Sequence, residues 1–134
     1  MTTGEGHILL VEDEERLRAL LRTVLERQGY TVHCCSDVPE ARDWLENNRL
    51  PLALILTDMV MPNGTGLELE ASARVSHPRA HILFMSGYAE QMIDDIAQLP
   101  AGAHFIQKPF TPRALAEKIR GVLAAGDQEG RPRG

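Results

Sequence analysis

The chain has 134 residues, of which 43% are hydrophobic, and its formal net charge is −5. This length suits one domain with its own core, and the acidic balance argues against direct contact with nucleic acid. The polar N-terminus and the lack of a long apolar run predict neither a signal peptide nor a membrane span, so we expect a cytoplasmic domain without membrane contact.

Short apolar runs alternate with stretches of helical periodicity. His7 to Val11 predicts a first strand. A helix ending at Gly29 is predicted to follow it, with one apolar face formed by Leu17, Leu20, Leu21, Val24 and Leu25. Tyr30 to Cys35 is rich in strand-forming residues, and Asp37 is a suitable cap for a second helix. The inner face of that helix is predicted to carry Val38, Ala41, Trp44 and Leu45.

The same alternation continues beyond residue 50. Leu52 to Thr57 is almost purely apolar and predicts a strand buried on both faces. Gly64 to Gly66 interrupts the chain before a third helix, and Ala80 to Met85 predicts a fourth strand. The third predicted helix carries Leu67, Ala71 and Val75, and the fourth is marked by Met92, Ile93, Ile96 and Leu99.

The last strand and helix follow directly. Ala103 to Gln107 predicts a short fifth strand, and Thr111 is a suitable cap for a helix with Pro112 in its first turn. The apolar face of this helix is predicted to consist of Leu115, Ile119, Val122 and Leu123.

Five strand–helix units in strict alternation predict an α/β fold. We expect a flavodoxin-like, doubly wound sheet of five parallel strands in the order 2-1-3-4-5, covered by helices on both faces. The predicted domain spans residues 7–125, after a disordered N-terminus of residues 1–6. Residues 126–134 lack apolar side chains and predict a disordered tail or the stump of a linker.

Polar residues follow four of the five predicted strands. These residues are Glu12 and Asp13, Asp58, Ser86, and Lys108 with Pro109. Since the carboxyl ends of parallel strands meet at one edge of a sheet, we expect three acids, a hydroxyl and an amine to share one crevice. Taken singly, each residue could be a helix cap, a turn residue or a surface charge, but their joint occurrence favours a site.

The chemistry of such a crevice can be derived from its residue types. Clustered carboxylates repel one another unless a cation joins them, and Mg²⁺ prefers one or two carboxylates together with a phosphate. A carboxylate such as Asp58 can act as a nucleophile and form an aspartyl phosphate. Mg²⁺ and a lysine would then supply the positive charge that phosphoryl transfer needs.

The residues at the strand ends resemble the receiver domain of bacterial two-component response regulators. The resemblance covers about residues 7–125. It rests on Leu9-Leu10-Val11-Glu12-Asp13-Glu14, on Thr57-Asp58-Met59-Val60-Met61-Pro62 with Gly66 after it, on Met85-Ser86-Gly87-Tyr88, and on Lys108-Pro109-Phe110.

This resemblance implies that Asp58 accepts a phosphoryl group from a histidine kinase or a histidine phosphotransfer protein. It implies that Lys108 pairs with the phosphoryl oxygens and that the peptide bond before Pro109 is cis. It further implies a metal site in which Mg²⁺ is held by Asp13, Asp58 and the backbone carbonyl of Val60, with Glu12 joining through water or directly.

The resemblance also implies a switch. Ser86 would move toward the phosphoryl group and Phe105 would follow inward, which would change the surface of helix 4, strand 5 and helix 5. Position 105 lacks the hydroxyl of the tyrosine that is frequent in the family, so its movement would depend on packing alone. Val60, Gly87, Tyr88 and Pro109 flank the site, and we expect Val60 and Tyr88 to hinder attacking water.

Several alternatives remain at this stage. The domain could stand alone or belong to a hybrid histidine kinase, and it could be a monomer or a weak dimer. A pseudo-receiver that works without phosphate is disfavoured by the intact acids, Ser86 and Lys108. An aspartate-nucleophile phosphatase is disfavoured because it usually carries a second aspartate at the position of Val60.

The remaining reactive side chains predict no second site. Cys34 and Cys35 would point to opposite faces of a strand and remain reduced. Trp44 is predicted to pack the second helix, and Met59 and Met61 to fill the loop and core. Metal-ligand spacing is absent among the five histidines, His7, His33, His77, His81 and His104.

Overall fold

A computed structural model describes residues 6–61, 63–87, 97, 99 and 103–129. The five predicted strands and the first, second, third and last predicted helices occur in this part of the chain, whereas most of the predicted fourth helix lies outside it. The strands are β1 His7–Val11, β2 Thr31–Cys35, β3 Leu52–Asp58, β4 Val60–Met61, β5 Gly64–Thr65, β6 His81–Ser86 and β7 His104–Gln107. The helices are α1 Glu15–Arg27, α2 Val38–Asn47, α3 Gly66–Ser76 and a C-terminal helix Pro112–Glu129. Several predictions fall outside the described residues. They concern residues 1–5 and 130–134 of the predicted disordered termini and the positions Pro62, Tyr88, Met92, Ile93 and Ile96.

Five strands form one parallel sheet in the order β2-β1-β3-β6-β7. The strands β4 and β5 are separate from it and pair with each other as a short antiparallel hairpin. Counted within the large sheet alone, the order is 2-1-3-4-5, so the predicted flavodoxin-like fold is confirmed.

The core lies on both faces of the sheet because the central strands turn apolar side chains to each side. Ile8 and Leu10 belong to a cluster with α1 and the C-terminal helix, whereas Leu9 and Val11 belong to a cluster with α2 and α3. All four side chains are fully buried. This two-sided burial explains why the strand reads as a continuous apolar run.

Local signals fix the helix ends. The Asp37 carboxylate accepts a hydrogen bond from the Glu40 amide at 2.9 Å and caps α2. The Thr111 hydroxyl oxygen accepts one from the Ala114 amide at 3.0 Å at the start of the C-terminal helix. Gly29, just beyond α1, has a φ of 101°, a left-handed conformation that glycine adopts without strain.

Three features of the helices differ from the predictions. Leu20 of α1, predicted on the apolar face, is 56% exposed. In α3 the side chains in the core are Leu69 and Ala73, while Ala71 is exposed and Val75 is 86% exposed. Both sets repeat every four residues, so spacing alone did not decide which face turns inward. The C-terminal helix also continues through residues 126–129, beyond the predicted start of the tail at residue 126.

The two cysteines behave as predicted. They are free thiols on opposite faces of β2, and each packs into a different core cluster. Burial raises the pKa of Cys34, and it raises the pKa of Cys35 to about 12. Neither thiol is therefore ionised at neutral pH.

In the part of the chain that the structure describes, no helix combines the length and the apolar character that crossing a membrane requires.

Candidate functional site

The register of the sheet brings the strand-end residues to the same level. Val11 lies opposite Thr57, so Glu12 and Asp58, which come next along β1 and β3, are neighbours. The Glu12 amide donates to the Cys35 carbonyl at 3.1 Å and continues the pairing of β1 with β2. Residues separated by 46 positions in the sequence thus meet at the carboxyl edge of the sheet.

The other half of the crevice comes from β6 and β7. Asp58 lies opposite Met85, which places Ser86 one residue further along the same edge. Ser86 is buried, and its backbone carbonyl oxygen accepts a hydrogen bond from the Lys108 backbone amide at 2.7 Å. This bond carries the strand pairing as far as Lys108 and directs its side chain along the edge of the sheet.

Lys108 joins the two buried acids. Its Nζ atom lies 2.7 Å from Asp58 Oδ1 and 2.8 Å from Glu12 Oε1. The lysine side chain is 24% exposed, whereas both carboxylates are nearly inaccessible to solvent. Buried charges persist only when they are paired, and one ammonium group here partly neutralises two carboxylates.

Hydrogen bonds engage every polar group of Glu12. Its Oε2 atom accepts from the Glu14 amide at 3.0 Å, while Oε1 accepts from Lys108. Its backbone carbonyl accepts from Arg18 Nη1 at 2.8 Å, and its amide donates to Cys35. Neither the contact with Arg18 nor the direct ion pair with Lys108 was predicted from the sequence.

Burial and pairing shift the ionisation of the three charged groups in different directions. Burial, aided by the charge of Glu12, raises the pKa of Asp58 to about 7 although Lys108 opposes the change. Burial also disfavours the charged form of Glu12, but the hydrogen bonds from Lys108 and Glu14 outweigh it and lower that pKa. Burial likewise acts against the ammonium of Lys108, whose bonds to Asp58 and Glu12 nevertheless raise its pKa.

The acids fit a divalent cation. Glu12, Asp13 and Asp58 each offer a carboxylate oxygen, and these oxygens lie within 4.8 Å of one another. Asp13 is exposed, so it faces the solvent side of the cluster. Among the described residues this is the one group of three or more histidines, cysteines and acids with such spacing, and its all-oxygen donors suit Mg²⁺.

A cavity of about 140 Å³ opens above Asp58. The Val60 side chain is 56% exposed at its rim, and Gly87 forms another part of the wall. The complete lining consists of Asp13, Asp58, Met59, Val60, Met85, Ser86, Gly87 and Lys108. Two of the three predicted acids, Asp13 and Asp58, therefore share one small opening with Ser86 and Lys108, whereas Glu12 is buried beside it and pairs with Lys108.

Gly66 allows the chain to pack closely behind Asp58. Its amide donates to the Met59 carbonyl at 2.8 Å. A Cβ atom on Gly66 would lie 2.5 Å from the Asp58 carbonyl oxygen and 3.1 Å from the ring of Phe84. Only a glycine fits this close approach, which gives a physical reason for the glycine in the motif.

Two other predicted residues, Pro109 and Phe105, lie on or beside this edge. The Lys108–Pro109 peptide bond is cis, as the resemblance implied. Pro109 is exposed and lines a second, more apolar groove against α1. Phe105, which pairs with Phe84 across β6 and β7, is partly buried.

The histidines are less scattered than their sequence positions suggest. His7 Nδ1 and His33 Nε2 lie 3.0 Å apart, His33 packs against Trp44, and Trp44 packs against His77. The ring centroids of His33 and Trp44 are 4.9 Å apart. This row packs α2 and α3 against the sheet, and Met59 and Met61 are buried, as predicted for both.

A five-stranded parallel sheet in this order, with clustered acids and a lysine at its carboxyl edge, defines a flavodoxin-like α/β domain with a charged crevice at the strand ends. The family model described as the response regulator receiver domain matches residues 8–120. The chain belongs to this family, whose members are regulatory domains of two-component signalling.

Two curated relatives from Brucella abortus (strain 2308) illustrate the range of the family. The sensor kinase CckA is 35% identical over 127 residues, which cover 93% of this chain but only 13% of that protein. The response regulator receiver protein CpdR is 35% identical over 118 residues, covering 88% of this chain and 97% of CpdR. This chain is thus similar both to a small part of a kinase and to a nearly complete receiver protein.

Solved structures agree with this assignment. The receiver domain of the hybrid histidine kinase CckA is 32% identical with a TM-score of 0.75, covering 88% of this chain and 99% of that one. A CheY-like receiver domain from Methanospirillum hungatei JF-1 is 31% identical with a TM-score of 0.77, covering 92% and 98% of the two chains.

Proposed function

We propose that this domain is a signalling switch controlled by phosphorylation of Asp58. The observation that carries the proposal is the position of that carboxylate. It is 6% exposed, lies beneath a small cavity, and is held 2.7 Å from the ammonium of Lys108. A carboxylate in this setting can attack phosphorus while a fixed cation neutralises the charge that develops.

The proposed donor is a phosphohistidine on a histidine kinase or a histidine phosphotransfer protein. An oxygen of Asp58 forms a bond to phosphorus as the phosphorus–nitrogen bond breaks, and the electron pair of that bond leaves with the imidazole. Lys108 would turn from pairing two carboxylates to pairing a phosphoryl oxygen. The Ser86 hydroxyl would donate to a second oxygen.

The metal site of this proposal consists of Asp13, Asp58 and the Val60 carbonyl. Bound Mg²⁺ would lower the charge repulsion between the acids and the incoming phosphoryl group. Glu12 would join through water, because its carboxylate oxygens already bond Lys108 and the Glu14 amide.

The proposed output is a change of surface. Ser86 would move toward the phosphoryl group and Phe105 would move inward into the space it leaves. The affected surface would comprise the predicted fourth helix, β7 and the C-terminal helix, and a downstream protein would bind there.

We further propose a cytoplasmic domain that contacts no nucleic acid and is a monomer or a weak dimer. It works either alone or within a hybrid kinase, in keeping with the two kinds of relative. The lining of one cavity by Asp13, Asp58, Ser86 and Lys108 disfavours a phosphate-independent adaptor. Val60 in place of an acid disfavours the phosphatase.

Intact mass measurement tests this proposal. Wild type incubated with Mg²⁺ and acetyl phosphate is expected to gain one phosphoryl group, and Asp58→Ala to gain none. Asp43→Ala is a suitable control because it removes an exposed acid from α2. Equal gains in wild type and Asp58→Ala, or no gain in wild type, would contradict the proposal.

A further inference from the structure

Arg18 holds the backbone immediately before the most exposed acid of the site. It lies in the first turns of α1, is partly buried, and donates from Nη1 to the Glu12 carbonyl oxygen at 2.8 Å. The Glu12 amide on the other side is bonded to Cys35 at 3.1 Å. The main chain is therefore fixed at both ends of Glu12, immediately before it reaches Asp13.

The bond matters because a peptide unit is planar. The Glu12 carbonyl oxygen and the Cα atom of Asp13 belong to the same rigid plane. The hydrogen bond from Arg18 therefore restricts the position of the Asp13 Cα atom. No hydrogen bond of the Asp13 carboxylate occurs within the described parts of the chain. The position of this carboxylate therefore depends on its backbone, which Arg18 holds at the Glu12 carbonyl before Asp13 and the Glu12 carboxylate holds at the Glu14 amide after it.

We propose that Arg18 is a positioning residue for the metal site. This inference rests on the proposed function, in which Asp13 is a Mg²⁺ ligand. Arg18 touches neither metal nor phosphate in this account. It acts by restricting the Glu12–Asp13 peptide, which reduces the freedom that Asp13 loses when it binds the cation.

The direction in which Mg²⁺ affinity changes when Arg18 is removed distinguishes a positioning role from a purely electrostatic one. Removing a positive charge near three carboxylates strengthens the attraction of a cation, so electrostatics alone predicts tighter Mg²⁺ binding without Arg18. Loss of orientation predicts weaker binding. Arg22, one turn further along α1, offers a matched control because its side chain is 55% exposed and its guanidinium pairs with Glu26.

The experiment is a Mg²⁺ titration of the ¹⁵N-labelled protein without phosphoryl donor, in which the amide shifts of Asp13 and Asp58 report binding. Arg18→Met keeps the apolar stem and removes the donor, and we expect it to weaken Mg²⁺ binding about tenfold. Arg18→Lys keeps one donor group and is expected to bind with intermediate affinity. Arg22→Met is expected to bind as wild type does, or slightly more tightly.

The same spectra show whether each variant is folded, and thermal unfolding in EDTA measures stability separately. If Arg18→Met does not fold, Arg18→Lys against Arg22→Lys takes its place, with the weaker affinity expected for Arg18→Lys. Unchanged or tighter binding in the folded Arg18 variant, or equal weakening in the Arg22 variant, would overturn the role of Arg18. A wild type that binds no Mg²⁺ would overturn the proposed function itself, and the role of Arg18 with it.

Discussion

The ionisation of the Asp58 carboxylate is set by its burial and by two charged neighbours, the positive Lys108 and the negative Glu12. Lys108 favours its charged form and Glu12 opposes it, while removal from water raises its pKa to about 7. The presence of acids and a lysine at the strand ends could be predicted, because polar residues that follow apolar strands are visible in the sequence. Their pairing could not, since it depends on the reach of the longer Glu12 side chain toward Lys108.

The proposed role of Val60 in hindering attack by water can be tested with a single substitution. Its side chain is 56% exposed at the rim of the cavity and offers no polar group to a water molecule. Val60→Asn would supply an amide able to orient water toward the phosphoryl group, so we expect severalfold faster loss of phosphate. The decay of the phosphorylated mass species measures this rate. Leu50→Asn, which alters an exposed apolar side chain outside the cavity lining, is the control, and equal rates in all three proteins would refute the role.

His33 makes the stability of the fold depend on pH. Burial, with smaller contributions from the charges of His7 and Arg22, holds the pKa of His33 below its ordinary value of 6.5. As pH falls below 6.5 the unfolded chain therefore takes up the proton first, and the stability that neutral His33 contributes is lost toward its folded-state pKa.

Urea unfolding across pH 7.5 to 5 tests this dependence. We expect His33→Gln to show a shallower loss of stability on acidification than wild type, because the titrating imidazole is gone. His81→Gln replaces a histidine outside the row formed with Trp44 and is the control. A slope in His33→Gln that matches wild type would count against the prediction.

At the scale of elements, the strands were predicted more closely than the helices. A strand buried on both faces must be apolar throughout, so β3 was recognisable as a run. The helix α3 has small or apolar side chains on several sides, and its inward face follows from packing of Leu69 and Ala73. The C-terminal helix extends to Glu129, beyond Leu123, the last predicted residue of its apolar face.

Two glycines in helices should respond in opposite ways to the same change. Gly66→Ala would place a methyl group 2.5 Å from the Asp58 carbonyl oxygen, and we expect it to destabilise the fold by about 1–3 kcal/mol. Gly121 lies in the C-terminal helix with open space around it, so Gly121→Ala should stabilise by up to about 1 kcal/mol. Urea unfolding measures both free energies, and similar values for the two variants would contradict the account.

At the scale of the whole molecule, the order of the strands in the sheet brings the polar residues that follow separate strands together in one site. Glu12, Asp58, Ser86 and Lys108 are distant in the chain, and parallel pairing in the order β2-β1-β3-β6-β7 brings them to one edge. That convergence was predictable because strand alternation and handed crossovers restrict the topology strongly. The contacts of Arg18 and Gly66 were not predictable, because they depend on distances between elements that only the packed structure defines.

We expect Mg²⁺ binding at the carboxyl edge of the sheet to depend on pH, because Asp58 can bind either the metal or a proton. Because Mg²⁺ requires the ionised form of Asp58, and the pKa of that group is about 7, protons compete with the metal below neutrality. We expect the apparent Mg²⁺ affinity to change little above pH 8 and to fall by up to about tenfold per pH unit below pH 6. The amide-shift titration repeated at several pH values measures it, and an affinity that is constant from pH 8 to 5.5 would exclude this coupling.

The phosphoryl acceptor can be identified most directly by reductive trapping. Borohydride converts an aspartyl phosphate to homoserine, and peptide mass spectrometry locates the converted residue. After incubation with Mg²⁺ and acetyl phosphate, the account predicts homoserine at position 58 and unmodified aspartate at position 13. Homoserine at position 13, or none at position 58 under conditions in which a known receiver domain is trapped, would contradict it.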